Sequence, residues 1–245
     1  MVEFQKFAKI PRLYREMVVT EKIDGTNAAI GIKPIENGYK DFLGFDEREG
    51  AKLVNVPGGY DYLVYAQSRK RIITPEQDNY GFARLVYDNA EQLIEVLGPG
   101  LHFGEYWGSG INRGYGFADG TRMFSLFNVS RWSHINYYPV GELVLSSVPI
   151  LYEGEFNTQV VSDILNDLKK NGSEARPGYE RPEGVVVYHK QANFLFKATI
   201  ENDQLPKEVA AQFPDVSSLT FTNEYNGWTI SGPWDAPVMT MNAAA

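Results

Sequence analysis

Short runs of apolar residues, many of them alternating with polar ones, recur along the chain and are bounded by glycine, proline, asparagine or aspartate. Runs of this kind are typical of β-strands. The pattern predicts strands at residues 16–23, 27–32, 62–68, 101–106, 123–129, 142–148, 184–189 and 194–200. The first two flank an Asp-Gly pair, which predicts that they form a β-hairpin.

Two segments, residues 82–97 and 158–170, instead repeat their apolar positions with the period of an α-helix. The polar stretch at residues 171–182 predicts an exposed loop. Residues 213–245 show no clear period, so a flap, a packed tail and disorder all stay open for them. Because strands dominate, the expected fold class is α+β, with antiparallel sheets and flanking helices.

The chain has 245 residues, enough for one large domain or for a main domain with a small appendage. Its net charge of −8 counts against a broad footprint on nucleic acid but leaves room for a local basic groove. The compact basic triplet Arg69-Lys70-Arg71 fits either a solvated face or a track for phosphates.

The absence of cysteine excludes disulfides, thiolate metal sites and cysteine nucleophiles. The histidines, His102, His134 and His189, lack the spacing of metal ligands and are expected to be structural. No apolar run approaches the roughly 18 residues of a membrane span, and the first residues lack the apolar block of a signal peptide. These features predict a cytoplasmic protein, in the host cytoplasm if it is phage-encoded.

A lysine stands between two apolar runs in the stretch TEKIDGTN, at position 22. A buried lysine needs a partner or must be neutral. Lysine becomes a nucleophile when desolvation or nearby cations lower its pKa, and Gly25 lets the backbone turn or approach a ligand. A surface lysine beside a turn is the simpler interpretation of Lys22, because Lys-X-Asp-Gly is short and often arises by chance.

Four later segments also carry isolated polar or exposed-looking residues. Glu105 lies in FGEYWG, residues 124–128 read FSLFN, Glu183 begins EGVVVY, and Lys197 interrupts the apolar strand FLFKAT. Taken alone, the first three fit ordinary strands and turns. Lys197 is harder to explain, since a lysine inside an apolar strand needs a partner or a ligand.

In this order the segments resemble the covalent nucleotidyltransferase superfamily of ATP-dependent DNA and RNA ligases and messenger-RNA capping enzymes. Lys22 matches its motif I, Glu105 motif III, residues 124–128 motif IIIa, Glu183 motif IV and Lys197 motif V. The resemblance implies a nucleotidyltransferase domain of the ATP-grasp-like ligase adenylation type at residues 1–205. A short C-terminal extension at residues 206–245, with no full second domain, would follow.

Within the superfamily the chain is similar to the phage-type RNA ligase 2 family. Asn27 stands where DNA ligases and capping enzymes carry an arginine, and Arg69 matches motif Ia. Two positions depart from the superfamily pattern. Motif V has a single lysine, Lys197, where two are usual, and motif IIIa ends in Asn128 rather than aspartate.

The resemblance implies three steps. Lys22 attacks the α-phosphate of ATP to form lysyl-AMP, AMP passes to the 5′-phosphate of an RNA end, and a 3′-OH seals the strand and releases AMP. Lys197 would contact the α-phosphate, Glu183 would hold a hydrated Mg²⁺ or Mn²⁺, and Asp24 would orient the turn or interact with the metal. The implied role is RNA repair, with no membrane contact and no obligate protein partner evident.

The same resemblance implies the nucleotide pocket. Glu21 would offer its backbone to the adenine edge, Glu105 would accept hydrogen bonds from ribose hydroxyls, and Phe127 would stack on adenine. Asn27 and Arg69 would lie near the phosphate or ribose and the incoming 5′-phosphate strand.

Three other functions stay open. A DNA ligase, or a ligase that accepts both sugars, remains an alternative because Asn27 alone does not determine sugar preference. A capping guanylyltransferase is disfavoured by the same residue. A nucleotide-binding module without catalysis is favoured only by the single lysine of motif V.

Overall fold

The computed structural model describes residues 2–35, 50–56 and 60–201, together with the backbone of three later strands. The chain forms two compact units, Met1–Ala198 and Thr199–Ala245. The predicted functional division after residue 205 stays a prediction. None of the helices in the described part of the chain combines the length and the hydropathy needed to cross a bilayer.

The first unit is mainly β-structure with a few helices, which confirms the predicted α+β class. Its strands are β1 (Glu16–Lys22), β2 (Thr26–Ile35), β3 (Lys52–Asn55), β4 (Asp61–Ser68), β5 (Ile72–Ile73), β6 (Gly100–Gly108), β7 (Arg122–Leu126), β8 (Tyr138–Val140), β9 (Leu143–Ser147), β10 (Ile150–Glu155), β11 (Gly184–His189) and β12 (Phe194–Thr199). Its α-helices are α1 (Phe82–Asp88), α2 (Ala90–Leu97), α3 (Val129–Trp132) and α4 (Thr158–Asn171), and a 3₁₀ turn covers Gly114–Gly116.

The larger sheet has the strand order β3-β4-β2-β6-β7-β9-β8, and β5 pairs with β4. The pairing of β7 with β9 is parallel, so the expectation of antiparallel sheets is wrong at that position. Helices α1 and α2 pack on the core of this sheet. Phe82 at the start of α1 lies 4.8 Å from the ring of Tyr106 and 5.2 Å from that of Phe124, which fixes β6 and β7 against the helix.

The smaller sheet of this unit has the order β10-β1-β11-β12, and it separates β1 from β2. The predicted hairpin of these strands is therefore wrong. β1 pairs with β10 and β11, whereas β2 pairs with β4 and β6. Both strands have buried residues on both faces, so each takes a central position with two neighbours of its own. Residues 23–25 carry the chain from one sheet to the other.

Two further sequence predictions need correction. The single helix expected at residues 82–97 is broken at Asn89, whose φ and ψ angles of −113° and 21° are not helical. Its backbone N–H (3.2 Å) and its side-chain amide (2.8 Å) both donate to the carbonyl of Leu85. The loop expected at residues 171–182 covers residues 172–182, because α4 extends to Asn171, and it is only partly exposed, since Ser173 within it is 4% exposed.

The second unit contains three strands in its described part, β13 (Thr220–Tyr225), β14 (Trp228–Pro233) and β15 (Val238–Met241). They form an antiparallel sheet in the order β13-β14-β15. The sequence shows no clear period in this segment, and a flap, a packed tail and disorder were the structures considered for it. A paired β-sheet was not among them.

Candidate active site

Lys22 is the last residue of β1, and its amine meets a carboxylate from the neighbouring strand. The register of β1 and β11 places Lys22 opposite Gly184, and Glu183 immediately precedes that glycine. Lys22 Nζ lies 2.5 Å from Glu183 Oε2, and the two side chains are 24% and 20% exposed. Partial burial strengthens the attraction between the two charges. The structure therefore gives this lysine the partner that its apolar surroundings require.

Glu105 enters the same site from β6 in the larger sheet. The register places it opposite Asn27, and its Oε1 accepts a hydrogen bond from the backbone N–H of Gly25 (3.1 Å). Burial raises the pKa of Glu105 to about 7, the charge of Lys22 opposes the rise, and the charges of Glu183 and Asp24 add to it. A carboxyl group with such a pKa exists in both forms near neutral pH and can accept or donate a hydrogen bond.

Gly25 brings the two sheets together at this point. A Cβ atom on Gly25 would lie 2.4 Å from the carbonyl oxygen of Tyr106 and 2.8 Å from Cβ of Trp107. These atoms belong to β6, which is held in the sheet on both sides, so they have little freedom to retreat. Only glycine allows the turn after Lys22 to lie directly on β6.

A loop that follows β6 holds the same turn from the other side. Arg113 Nε donates to Asp24 Oδ2 (2.8 Å), and the Asn112 side-chain amide donates to Asp24 Oδ1 (3.2 Å) and to the carbonyl of Gly25. The hydroxyl of Tyr115 accepts from the backbone N–H of Asp24 (2.9 Å). These contacts orient the turn, which is one of the two roles expected for Asp24.

Sequence reasoning did not assign Asn112 and Tyr115 to the site. Both have positive φ angles, of 45° and 47°, which non-glycine residues rarely adopt. Their stretch, INRGYG, contains glycine at two positions and follows motif III. The only sequence signal for these two residues was an asparagine- and glycine-rich turn after the motif III strand. That signal does not specify which residues face Lys22.

Glu21, next to Lys22 on β1, points to the opposite side, as strand alternation requires. It is 1% exposed, and its two carboxylate oxygens accept from the Ser173 hydroxyl (2.6 Å) and the Ala175 backbone N–H (2.8 Å). Burial raises the pKa of Glu21, and these hydrogen bonds oppose the rise. Its own backbone N–H donates to the carbonyl of Pro149 (3.0 Å). Glu21 thus holds the loop at residues 172–182 against the strand that carries Lys22.

Phe127 and Asn128 follow β7. Phe127 is 40% exposed and donates its backbone N–H to the carbonyl of Phe103 (3.0 Å), which is itself 45% exposed. Phe103 is two residues before Glu105 and shares its face of β6. The side chain of Asn128 accepts from Arg131 N (3.3 Å) at the start of α3 and so acts as a helix cap.

The remaining predicted residues are not brought into direct contact with Lys22 in the described part of the chain. Asn27 faces the site through its pairing with Glu105. Arg69 is exposed one residue after β4, whose last residue pairs with Ala28. Lys197 is exposed on β12, which is separated from β1 by β11.

Two of the three histidines, His102 and His189, are structural, as expected, whereas His134 is exposed. His102 and His189 are each 3% exposed, and their ring nitrogens hydrogen-bond to the carbonyls of Gly98 (2.9 Å) and Leu13 (2.7 Å). Across residues 2–35, 50–56 and 60–201, no three acidic or histidine side chains converge on a point where they alone could hold a metal ion.

Glu183 nevertheless fits a hydrated divalent ion. Mg²⁺ is usually held by one or two carboxylates and completes its shell with water and substrate phosphates. Glu183 presents a partly exposed carboxylate whose second oxygen accepts no hydrogen bond from a described residue. The donor set at this position therefore suits an ion bound mainly by water and phosphate.

A model of the RNA ligase family matches residues 15–199. No curated protein matches the chain. Among solved structures, the chain is similar to a variant of the Naegleria gruberi RNA ligase with ATP and Mn, at 17% identity and a TM-score of 0.39, over 82% of this chain and 52% of that one. It is also similar to an apo variant of a Naegleria gruberi RNA ligase, at 18% identity and a TM-score of 0.38, over 75% and 49% of the two chains. The chain thus spans about half the length of the solved structures it matches.

Proposed function

Because this chain belongs to the RNA ligase family, we propose that it joins a 5′-phosphate end to a 3′-OH end of RNA through a covalent lysyl-AMP intermediate on Lys22. One observation carries the proposal above the others. Lys22 Nζ is partly buried, lies 2.5 Å from Glu183, and interacts electrostatically with Glu105. Two carboxylates at the meeting point of two sheets hold the Lys22 amine in one position, whereas the amine of a surface lysine moves freely.

In the first step the ion-paired ammonium of Lys22 gives one proton to Glu183 or to solvent, and the neutral amine then attacks the α-phosphorus of ATP. The N–P bond forms, the P–O bond to pyrophosphate breaks, and the amine proton leaves to solvent or to a neighbouring carboxylate. The Glu183 carboxylate holds the amine in place before attack. The contacts of Asp24 with Arg113 and Asn112 fix the turn behind it, which limits the motion of the nucleophile.

Two further steps complete the joining of RNA ends. The 5′-phosphate of RNA attacks the phosphorus of lysyl-AMP, which frees the Lys22 amine. The 3′-OH then attacks the activated 5′-phosphate, forms the phosphodiester bond and releases AMP. We place Lys197 at the α-phosphate during these steps, which requires its exposed side chain to turn toward Lys22.

The nucleotide would bind on the face of β6 that carries Glu105. Glu105 can exchange hydrogen bonds with ribose hydroxyls, because its pKa of about 7 allows both protonation states. Phe127 and its neighbour Phe103 present exposed aromatic faces for adenine. Asn27 and Arg69 would lie near the phosphate or ribose and the incoming 5′-phosphate strand, and Glu21 would offer its backbone to the adenine edge.

A divalent ion, Mg²⁺ or Mn²⁺, would be held by Glu183, where it would neutralise negative charge that develops on the phosphates. The chain's own cations, Lys22, Lys197 and Arg69, would share that task. The division into an adenylyltransferase domain at residues 1–205 and a short extension after it, and a cytoplasmic location, belong to the same proposal.

The experiment that tests this function follows label from α-labelled ATP onto the protein. Wild type should acquire acid-stable label in the presence of Mg²⁺, and Lys22→Ala should acquire none. Lys33→Ala is the matched control, because Lys33 is an exposed lysine on β2 and should label as the wild type does. Absence of label from wild type with both ATP and GTP contradicts the covalent mechanism, and label from GTP alone indicates capping chemistry.

The same protein preparations distinguish two alternative functions that the sequence left open. A DNA ligase would label with ATP but seal nicked or single-stranded DNA instead of RNA. A ligase of mixed specificity would label with ATP and seal both. A nucleotide-binding module would bind ATP without labelling. The exposed position of Lys197 on β12 is the one structural observation that favours this last function.

A further inference from the structure

Residues 2–15 precede β1 and belong to no helix or strand; we name them the basic arm. Its sequence repeats an apolar residue and a basic residue every third position, as FQK-FAK-IPR-LYR. The apolar positions are Phe4, Phe7, Ile10 and Leu13, and the basic positions are Lys6, Lys9, Arg12 and Arg15. A period of three is that of a polyproline II chain, which places each set along its own edge and leaves the backbone open.

The arm's apolar side chains lie in solvent. Phe4 is 91% exposed, Phe7 82%, Ile10 77% and Leu13 56%. Its four basic side chains are exposed too, and within the described part of the chain none of them forms an ion pair or a side-chain hydrogen bond. An acidic protein, of net charge −8, therefore presents four cations on one short segment. Exposed aromatic rings beside unpaired cations indicate a surface for a partner.

The base of the arm is fixed to the smaller sheet. Arg12 N donates to Gln191 Oε1 (2.9 Å), the Leu13 carbonyl bonds to His189 (2.7 Å), and Phe156 N donates to the Arg15 carbonyl (2.8 Å). These contacts lie at the end of β1 opposite Lys22. The six residues that separate the two ends span about 20 Å at ~3.3 Å per residue.

We propose that the basic arm binds a single-stranded segment of the RNA substrate. This proposal rests on the proposed ligase function, which supplies RNA as the substrate. Cations at regular intervals bind a phosphate backbone, and the rings of Phe4, Phe7 and Tyr14 can stack on unpaired bases, because every base has a π-face. A duplex would hide those faces, so the arm selects for unpaired RNA. RNA whose end lies at Lys22 needs to extend only about 20 Å along the sheet to reach the base of the arm.

The test measures binding of a fluorescent, 5′-phosphorylated single-stranded RNA at several salt concentrations. Each phosphate contact contributes about 0.7 to the slope of log K against log salt for single strands. Lys6→Gln/Lys9→Gln should therefore reduce the slope by about 1.4. Lys169→Gln/Lys170→Gln is the matched control, since it removes two exposed lysines from the last turn of α4 and should leave the slope unchanged.

A second variant tests the rings without changing charge. Phe4→Leu/Phe7→Leu keeps apolar side chains but removes the stacking faces, and it should weaken single-stranded RNA binding at least about tenfold, with a smaller effect on duplex RNA. Because the four side chains changed in these two arm variants are exposed, all variants should keep the wild-type melting temperature.

Labelling of Lys22 with ATP, measured on the same proteins, separates this proposal from the proposed function. The arm variants should label normally, since the arm meets the sheet at the far end of β1. If wild type does not label, the ligase function fails while the salt slopes still report on the arm. Equal slopes for the arm and control variants overturn the arm's role in RNA binding. The same variants are also tested for binding to anionic vesicles and for self-association. Loss of either property while RNA binding stays intact would likewise overturn the proposal.

Discussion

Removing the negative charge of the partly buried Glu105 carboxyl group should make the protein more stable. Burial raises the pKa of Glu105 from 4.5 to about 7. A carboxyl group with a raised pKa in the folded state binds its proton more tightly there than in the unfolded chain. Stability is therefore unaffected by this group below pH 4.5, falls as the pH rises from 4.5 to 7, and stays at the lower level above pH 7.

The magnitude follows from that pH window. At about 1.4 kcal/mol per pH unit, ionised Glu105 destabilises the fold by up to about 3 kcal/mol at pH 8. Glu105→Gln keeps the oxygen that accepts from the Gly25 backbone N–H (3.1 Å) and removes the charge. We expect the free energy of unfolding of Glu105→Gln at pH 8 to exceed that of wild type by about 2 kcal/mol, after allowance for partial exposure.

The assay is urea denaturation of wild type and variant from pH 4.5 to pH 8. The two curves should converge at the acid end and separate as the pH rises through the window. Glu142→Gln is the control, because Glu142 is exposed between β8 and β9 and should give the wild-type profile. A Glu105→Gln variant that is less stable than wild type at pH 8, or parallel to it at every pH, would refute the assignment of a burial-raised pKa.

Three further predictions concern the turn after Lys22, the buried Glu21 and the proposed divalent ion. Gly25→Ala should destabilise the fold by about 1–3 kcal/mol in denaturant titrations, because its Cβ meets the Tyr106 carbonyl oxygen at 2.4 Å; an unchanged midpoint would contradict the close approach. Ser173→Ala should cost about 1–3 kcal/mol because it leaves a buried oxygen of Glu21 without its donor, whereas Ser130→Ala on the surface should have little effect. Removal of divalent ions with EDTA should abolish labelling of the protein by ATP and leave the melting temperature unchanged, and readdition of Mg²⁺ or Mn²⁺ should restore labelling; labelling that persists in EDTA counts against the metal.

Several parts of the fold and of the site could be predicted from the sequence for a physical reason. Strands buried on one face alternate, and those buried on both faces form apolar runs, so most strands of the first unit were predicted with nearly correct bounds. The order of the motif residues predicted the RNA ligase family, which the match to residues 15–199 confirms. The motif resemblance assigned Lys22, Glu105 and Glu183 to one nucleotide site, and their roles there stay predictions.

Other features depend on tertiary contacts that no local pattern encodes. The Asp-Gly pair after Lys22 has the composition of a hairpin turn, yet β1 and β2 join different sheets because each is buried on both faces. Ser173 lies in a polar stretch that resembles an exposed loop, and only the buried carboxylate of Glu21, 152 residues away, explains why it is enclosed. Sequence pattern predicts which strands exist more readily than which strands become neighbours.

The most direct test of the central claim is to locate the nucleotide on the protein. Wild type incubated with ATP and Mg²⁺ is digested, and the peptides are examined by mass spectrometry for a phosphoramidate-linked AMP. The account predicts AMP on the peptide that contains Lys22, at the amine of that residue. AMP on Lys197 or another side chain, or wild-type protein that carries no AMP while it still seals RNA, would contradict it.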